Sequence, residues 1–240
     1  MEWAGEGTVL ARRTHGENAV ILTVLSRDAG VLSGLVPGGA GKRRGPMLQP
    51  GNRLDLRWRA RLHDQLGTFT PEPGLSRAHL MDNRTTLAAL NAVTALIVWS
   101  LPEHDPHPRL HDATETLLDR MSTPGWGADY LRWELLLLEE MGFGLSLDRC
   151  AVTGARDGLA FVSPRTGHAV TAAGAGKWAD RLLPLPELLG GPPVDGAGLA
   201  QALALTGWFM NARMAEDQIG KPIPPARDRL LAQLRRDPAP

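Results

Sequence analysis

Among the basic side chains of the first 61 residues, nine have types and spacings that offer chemistry: Arg12, Arg13, Lys42, Arg43, Arg44, Arg53, Arg57, Arg59 and Arg61. Lys42-Arg43-Arg44 lies in a glycine-rich run, and Arg57, Arg59 and Arg61 alternate along one segment. On a strand, alternate residues stand roughly 6.6 Å apart on one face. Cations at that interval approximate the stride of a phosphate backbone, and such a row gains affinity from counterion release, which falls with salt. The same alternation also describes an ordinary solvated strand face. Trp58 falls on the apolar side of this segment, so base stacking there is not indicated.

The rest of the chain does not assemble an enzyme motif. Residues 38–42 resemble a phosphate-binding loop, but Val36 stands where its first glycine belongs and Arg43 follows the lysine. A nucleophile elbow at Ser33 fails because Val31 replaces a glycine. His107, His111 and Glu115 are spaced to share a helix face, but Pro108 breaks the metalloprotease pattern, and histidines near a helix start need no metal to explain them. Glu139 and Glu140 are adjacent and read as solvated. The expectation is a protein without catalytic residues or cofactor, not an enzyme.

The elements that must position the basic set are short strands. Residues 8–13, 19–25, 31–36, 53–62 and 65–70 are β-branched or apolar runs, and residues 26–30 have hairpin chemistry. In residues 53–62, Leu54, Leu56, Trp58, Ala60 and Leu62 alternate with Arg53, Asp55, Arg57, Arg59 and Arg61. That strict period of two puts the arginines on one face and a core on the other. Five such strands in about 75 residues suit a small closed barrel. Pro71-Glu72-Pro73-Gly74 ends it and marks a domain boundary.

Beyond Leu75 the period becomes helical. Leu87, Leu90, Val93 and Ile97 make one helix, Leu110 to Met121 a second, and residues 130–141 a third, closed by Gly142 and Gly144. Residues 147–176 are rich in Gly, Thr and Ser with little periodicity and read as an irregular insert or hairpin. Asp195 suits the N-cap of a helix reaching about Ala215, and Pro224-Pro225 opens a last helix with Leu230, Leu231 and Leu234. The tail at Ala239-Pro240 reads as disordered.

Composition agrees with this division. The 26 basic and 26 acidic residues cancel overall. Residues 1–80 nevertheless hold 11 basic against 7 acidic side chains, residues 81–160 hold 6 against 12, and residues 161–240 hold 9 against 7. A basic N-terminal module facing an anionic partner and an acidic middle are implied. One cysteine, Cys150, makes no internal disulfide, and no apolar run approaches the roughly 20 residues of a membrane span. The chain reads as soluble and cytoplasmic.

The order of features resembles the RecO family of bacterial recombination mediator proteins. The residues that carry it are Gly7 to Arg13 with His15 to Asn18, Leu25 to Gly30, Gly41 to Gly45 and Leu48 to Gly51. Arg132 to Leu138 running into Gly142 to Leu145 follows, then Leu205 to Met210 and Gly220 to Pro224. The resemblance implies an α+β fold: a five-stranded OB-fold barrel over residues 1–74, then a helical domain over 75–240 with a small zinc-finger-like insert at about 147–176. Many family members carry two CxxC pairs in that insert. Here only Cys150 survives, with Thr153 at the second position, so the chain resembles the form without the zinc cysteines, and no metal is expected.

The family further implies binding of single- and double-stranded DNA, annealing of complementary strands, and help, with RecR, for RecA to replace single-strand binding protein in the RecF pathway, near the nucleoid. The nine basic residues would then neutralise phosphates. The C-terminal tail of single-strand binding protein would dock in an apolar cleft of the helical part, with Arg132 and Arg213 as candidate contacts. Trp133, Trp208 and Phe209 read as core. Two other classes stay open: an OB-fold module for protein or RNA without annealing activity, and a hydrolase with a dispersed active site.

Overall fold

A computed structural model describes residues 1–61, 66–192 and 198–236. Strands β1 (Glu2–His15), β2 (Ala19–Ser26), β3 (Gly30–Val36), β4 (Arg53–Arg59) and β5 (Gly67–Pro73) close a barrel in the order β1-β2-β3-β5-β4. All pairs are antiparallel except the seam between β3 and β5, where Gly34 faces Gly67 and Leu35 faces Thr68 in parallel. The core is Val9, Val20, Leu22, Val24, Leu32, Val36, Leu48, Leu54, Leu56, Trp58 and Phe69. Glycine is required at the seam: a Cβ on Gly67 would lie 2.1 Å from Trp58 Nε1, and one on Gly34 2.6 Å from the Phe69 ring. The Trp58 indole donates to the Ser33 carbonyl at 3.0 Å, which satisfies its one buried polar atom.

The alternation in β4 is as expected, with Leu54, Leu56 and Trp58 buried while Asp55, Arg57 and Arg59 are exposed. Several strand limits differ from the sequence reading, and β4 ends at Arg59, so Arg61, expected in the row of arginines on that strand, lies beyond it. β1 starts at Glu2, because residues 2–8 pair with β4 throughout. β5 continues through Pro71 and Pro73, which face Leu56 and Leu54. Both prolines share one parity, so their missing N–H groups fall on the side away from β4, where β3 no longer pairs. Leu62 and Gln65, expected in these strands, lie outside the described residues, as do Asp195, Ala239 and Pro240.

The barrel belongs to a unit formed by Met1–Thr123 and Pro224–Gln233. Its helices are α1 (Arg84–Ser100), α2 (Pro108–Arg120) and most of the terminal helix described below. Asn83 caps α1 by accepting from the Thr85 and Thr86 N–H groups, and Pro108 occupies the first turn of α2. Arg77, 1% exposed, organises this unit. Its guanidinium donates to Gly51 O at 3.0 Å, to Glu115 Oε2 at 2.9 Å and to Asp119 Oδ1 at 2.8 and 2.6 Å. Glu115 also accepts from Thr8 Oγ1 and from Arg53 Nη1 at 3.4 Å. Burial opposes the charge of Arg77, and Glu115 with Asp119 more than restores it, so its pKa is raised. Glu115 thus faces the barrel and does not converge with His107 and His111, which lie beside Asp105 and Asp112.

The second unit comprises Pro124–Ile223 with the segment from Leu234. It holds α3 (Trp126–Glu140), a small sheet of β6 (Leu159–Val162), β7 (Ala169–Thr171) and β8 (Leu183–Pro184) in the order β7-β6-β8, and a single turn, α4 (Ala172–Ala175). α5 (Gly198–Phe209) widens into a π-helical segment, Met210–Ile219, ended by Gly220 at φ +68°. The chain ends in α6 (Pro225–Arg236). α3 and α5 meet through Tyr130, Trp133, Leu137, Leu203, Thr206 and Phe209, all buried, and Thr206 Oγ1 donates to the buried Glu134 at 2.5 Å. Trp133 and Phe209 are core as expected, and Trp208 is only half-buried, edge-on to Phe209. No described helix is long and apolar enough to cross a membrane.

Removing one partner of a buried ion pair leaves the other charge uncompensated, which costs about 3–5 kcal/mol. Arg77→Met is expected to lower the stability of the barrel unit by about that amount in urea denaturation, whereas Arg27→Ala, which removes an exposed, solvent-screened pair with Asp112, leaves the midpoint essentially unchanged.

Candidate nucleic-acid interface

The nine basic residues separate into two sets. β1 and β2 form a hairpin in which Arg12 faces Leu22 and Arg13 faces Ile21. The loop between β3 and β4 lies against the tip of that hairpin, with Ala40 N–H donating to Asn18 O at 3.2 Å. Arg12 Nη1 donates to Gly45 O at 3.2 Å. Arg12, Arg13, Lys42, Arg43 and Arg44 therefore share one end of the barrel. None of the five has an ion pair among the described residues, and all but the half-buried Arg12 are exposed.

The loop holds its shape through successive turns. Gly41 N–H donates to Gly38 O, Arg44 and Gly45 N–H to Gly41 O, and Arg44 Nη1 to Pro37 O at 2.7 Å. Leu48, fully buried, plugs the barrel core. Asn52 closes the loop: its side-chain amide donates to Pro46 O and Met47 O, both at 3.1 Å, and its Oδ1 accepts from the Arg77 N–H at 2.8 Å. Backbone bonds from Gly51 N–H to Val9 O and from Val9 N–H to Asn52 O stitch the same residues to β1, both at 2.8 Å.

The second set, on β4, is locally compensated. Arg59 faces Glu2 across the β1 ladder and pairs with it at 3.2 Å. Arg53 is half-buried between Glu115 and Glu6, at 3.4 and 3.8 Å. Glu6, Asp55 and Glu72 stand in one row across β1, β4 and β5. With Arg57 and Thr70 they border a shallow hollow of about 230 Å³. Of this set only Arg57, on β4, and Arg61, beyond its end, lack an ion pair among the described residues. Like charges directly opposite repel, and three carboxylates beside Arg57 oppose an approaching phosphate. The cationic end of the barrel is the better interface.

In the second unit, Arg132 is 73% exposed in its side chain and bonds to Asp129 one turn away at 2.7 Å. Arg213 instead lines a cleft of about 100 Å³ with Phe143, Phe209, Arg165 and the backbone of Gly144 and Gly167. Its wall is more polar than the apolar cleft that the resemblance implies. Arg165 was not legible as a site residue, because it stands alone in a Ser-Pro-Arg-Thr-Gly turn.

The insert has a definite architecture. Cys150 Sγ, buried, accepts from the Thr153 N–H at 3.4 Å and the Thr171 N–H at 3.2 Å, and lies 3.5 Å from Thr171 Oγ1. A Cβ on Gly174 would lie 3.2 Å from the sulfur. Positions 150, 153, 171 and 174 thus converge as two pairs of CxxC spacing. One thiol, two threonines and a glycine do not fit a tetrahedral zinc site, and the described residues contain no other cluster suited to a metal. Burial raises the thiol pKa, and the bonds from Thr153 and Thr171 lower it by more, leaving it at about 6 instead of 9.0.

A five-stranded barrel of this order, with a cationic loop at one end and helices following it, defines an OB-fold protein with a helical second part. Residues 1–73 match the family model "Recombination protein O N terminal" and residues 81–221 the model "Recombination protein O C terminal". The chain is 61% identical over 235 residues to the DNA repair protein RecO of Paracoccus denitrificans, covering 98% of this chain and 96% of that protein. It is 50% identical over 237 residues to that of Cereibacter sphaeroides strain ATCC 17023, covering 98% and 100%, and 49% identical over 242 residues to that of Roseobacter denitrificans, covering 98% and 99%. The chain belongs to the RecO family.

The lowered thiol pKa has a consequence for stability. A thiol with a folded pKa of about 6 binds fewer protons than the unfolded chain between pH 6 and 9. Its contribution is therefore full above pH 9 and lost as pH falls through 6. The unfolding free energy is expected to rise across that window, by on the order of 1 kcal/mol per pH unit, and the rise should vanish in Cys150→Ser.

Proposed function

We propose that this chain binds single- and double-stranded DNA without regard to sequence, anneals complementary strands and, with RecR, helps RecA load on DNA coated by single-strand binding protein, acting in the RecF pathway at the nucleoid. The observation that carries the reading is the cationic group without ion pairs formed by Arg12 and Arg13 of β1 and Lys42, Arg43 and Arg44 of the adjoining loop, which is anchored at both ends. Phosphates neutralised there reduce the repulsion between two strands, and base pairing then proceeds unaided. Such a role needs no nucleophile, acid or cofactor, so the protein acts as a non-enzymatic mediator. Family membership supports the repair and recombination setting.

The cleft of Arg165 and Arg213 supports a partner role for the second unit. Two guanidinium groups beside Phe143 and Phe209 suit an acidic peptide ending in a carboxylate and an apolar side chain, as the tail of single-strand binding protein is expected to be.

The test of the first reading is DNA binding across a salt series with Lys42→Ala/Arg43→Ala/Arg44→Ala. The variant is expected to lose affinity for unrelated sequences alike and to flatten the slope of log affinity against log salt by up to about 3. Annealing of strands coated with single-strand binding protein should fall in parallel. An unchanged slope, or RNA bound as tightly as DNA with no annealing, would overturn it. For the partner reading, Arg165→Ala and Arg213→Ala should each weaken a C-terminal acidic peptide about 10-fold in titration calorimetry, while Arg132→Ala leaves it unchanged.

A further inference from the structure

Six of the seven tryptophans are covered to some degree: Trp58, Trp126 and Trp133 are buried, and Trp3, Trp99 and Trp208 are half-buried. Trp178 alone is exposed, with 51% of its surface in water. It lies in the 3-10 segment Gly176–Arg181, which buries none of its residues. Lys177 Nζ stands 5.4 Å and the Arg181 guanidinium carbon 4.9 Å from the indole ring centroid, both within cation-π reach. The residue stays half exposed despite the two cations.

The segment is held at both ends. Before it, Thr171 caps α4 by accepting from the Gly174 N–H at 3.0 Å, and Ala175 is buried. After it, Leu182 N–H donates to Ala179 O, β8 pairs with β6, and Leu185 N–H donates to Ala160 O at 2.9 Å. The ring is thus presented on a fixed base, not on a free loop. Asp180 and Glu187 are the nearest acidic residues in sequence, and neither appears among the groups set over the ring.

We propose that Trp178 is a stacking platform for an unpaired base of single-stranded DNA, with Lys177 and Arg181 contacting the phosphates on either side of that base. A half-exposed indole flanked by cations that a phosphate can draw aside matches the two surfaces of a single strand, a π-face and a phosphate, and binds it without sequence preference. A duplex keeps its bases stacked inside and offers the ring nothing comparable. The barrel supplies charge; Trp178 supplies the aromatic contact that the barrel face lacks. The inference rests on the DNA-binding reading above and adds a strand-selective contact in the second unit.

The test uses the full chain with short oligothymidylate and with a blunt duplex. Trp178→Ala is expected to weaken oligothymidylate binding about 10-fold, within the range for one stacked base, and to leave duplex binding within about 2-fold. Trp178→Phe should keep most of the affinity yet lose the quenching of tryptophan fluorescence that oligothymidylate produces. Lys177→Ala/Arg181→Ala should flatten the single-strand salt slope by up to about 1.4. Unchanged thermal midpoints exclude misfolding. Normal oligothymidylate affinity in Trp178→Ala overturns the proposal, as does quenching that survives in Trp178→Phe or an equal loss for single strand and duplex. Weakened binding of an acidic peptide with DNA binding intact would assign the ring to a protein partner and likewise overturn it. If Trp178→Ala binds normally while the Lys42, Arg43, Arg44 variant does not, this inference fails alone; if the unmodified protein binds neither DNA, the reading beneath it fails.

Discussion

The barrel unit depends on one buried guanidinium. A planar group with five donors and no acceptor is tolerated in a core only when nearly every donor is matched, and Arg77 meets that demand with two carboxylates of α2 and the carbonyl of Gly51. The partners come from two distant places in the chain, so satisfying one side chain fixes α2 against the barrel, sets where β4 begins, and anchors the end of the basic loop. Asn52 extends the same logic, spending its amide on Pro46 and Met47 and its carbonyl oxygen on Arg77 itself. The loop that presents Lys42, Arg43 and Arg44 is consequently a rigid display, although it contains no helix or strand.

What could be read without coordinates was local and periodic. The alternation from Arg53 to Arg61 is a property of the segment alone, and it specified the buried face of β4 correctly. Helices α1 and α2 followed from spacings of three and four. The start of β1 was hidden because Glu2 to Gly7 holds two glycines, two acids and no β-branched residue; only its β4 partners make it a strand. The prolines of β5 read as a stop because their tolerance depends on which side of the strand has a neighbour.

The site was harder for the same reason. That Arg57 and Arg59 share a face was legible, whereas the end of the strand before Arg61 was not, nor that Glu2, Glu6 and Glu72 face the same way, since those neighbours come from other strands. Glu115 looked like a potential metal ligand because its helical spacing to two histidines is intrinsic, while its real partner, Arg77, lies 38 positions away. Cys150 was recognisable as a solitary remnant, yet the facing pair, Thr171 and Gly174, carries no trace of its role in residue type. A charged row is therefore only half a description of an electrostatic surface; the other half is written across the ladder.

Closure of the barrel has an effect on how copies of the chain can behave together. Sheets with open, extended edges invite pairing between molecules. Here the short parallel seam at Gly34 and Gly67 completes the circle, and the stretch of β5 beyond it that β3 does not cover carries Pro71 and Pro73, which have no N–H to offer a neighbour. The remaining described sheet ends in strands of only three and two residues. Molecules gathered at high density along a polyanion would thus find no β template on one another. Crowding on the polymer can proceed without seeding aggregation, and the molecules remain free to dissociate individually.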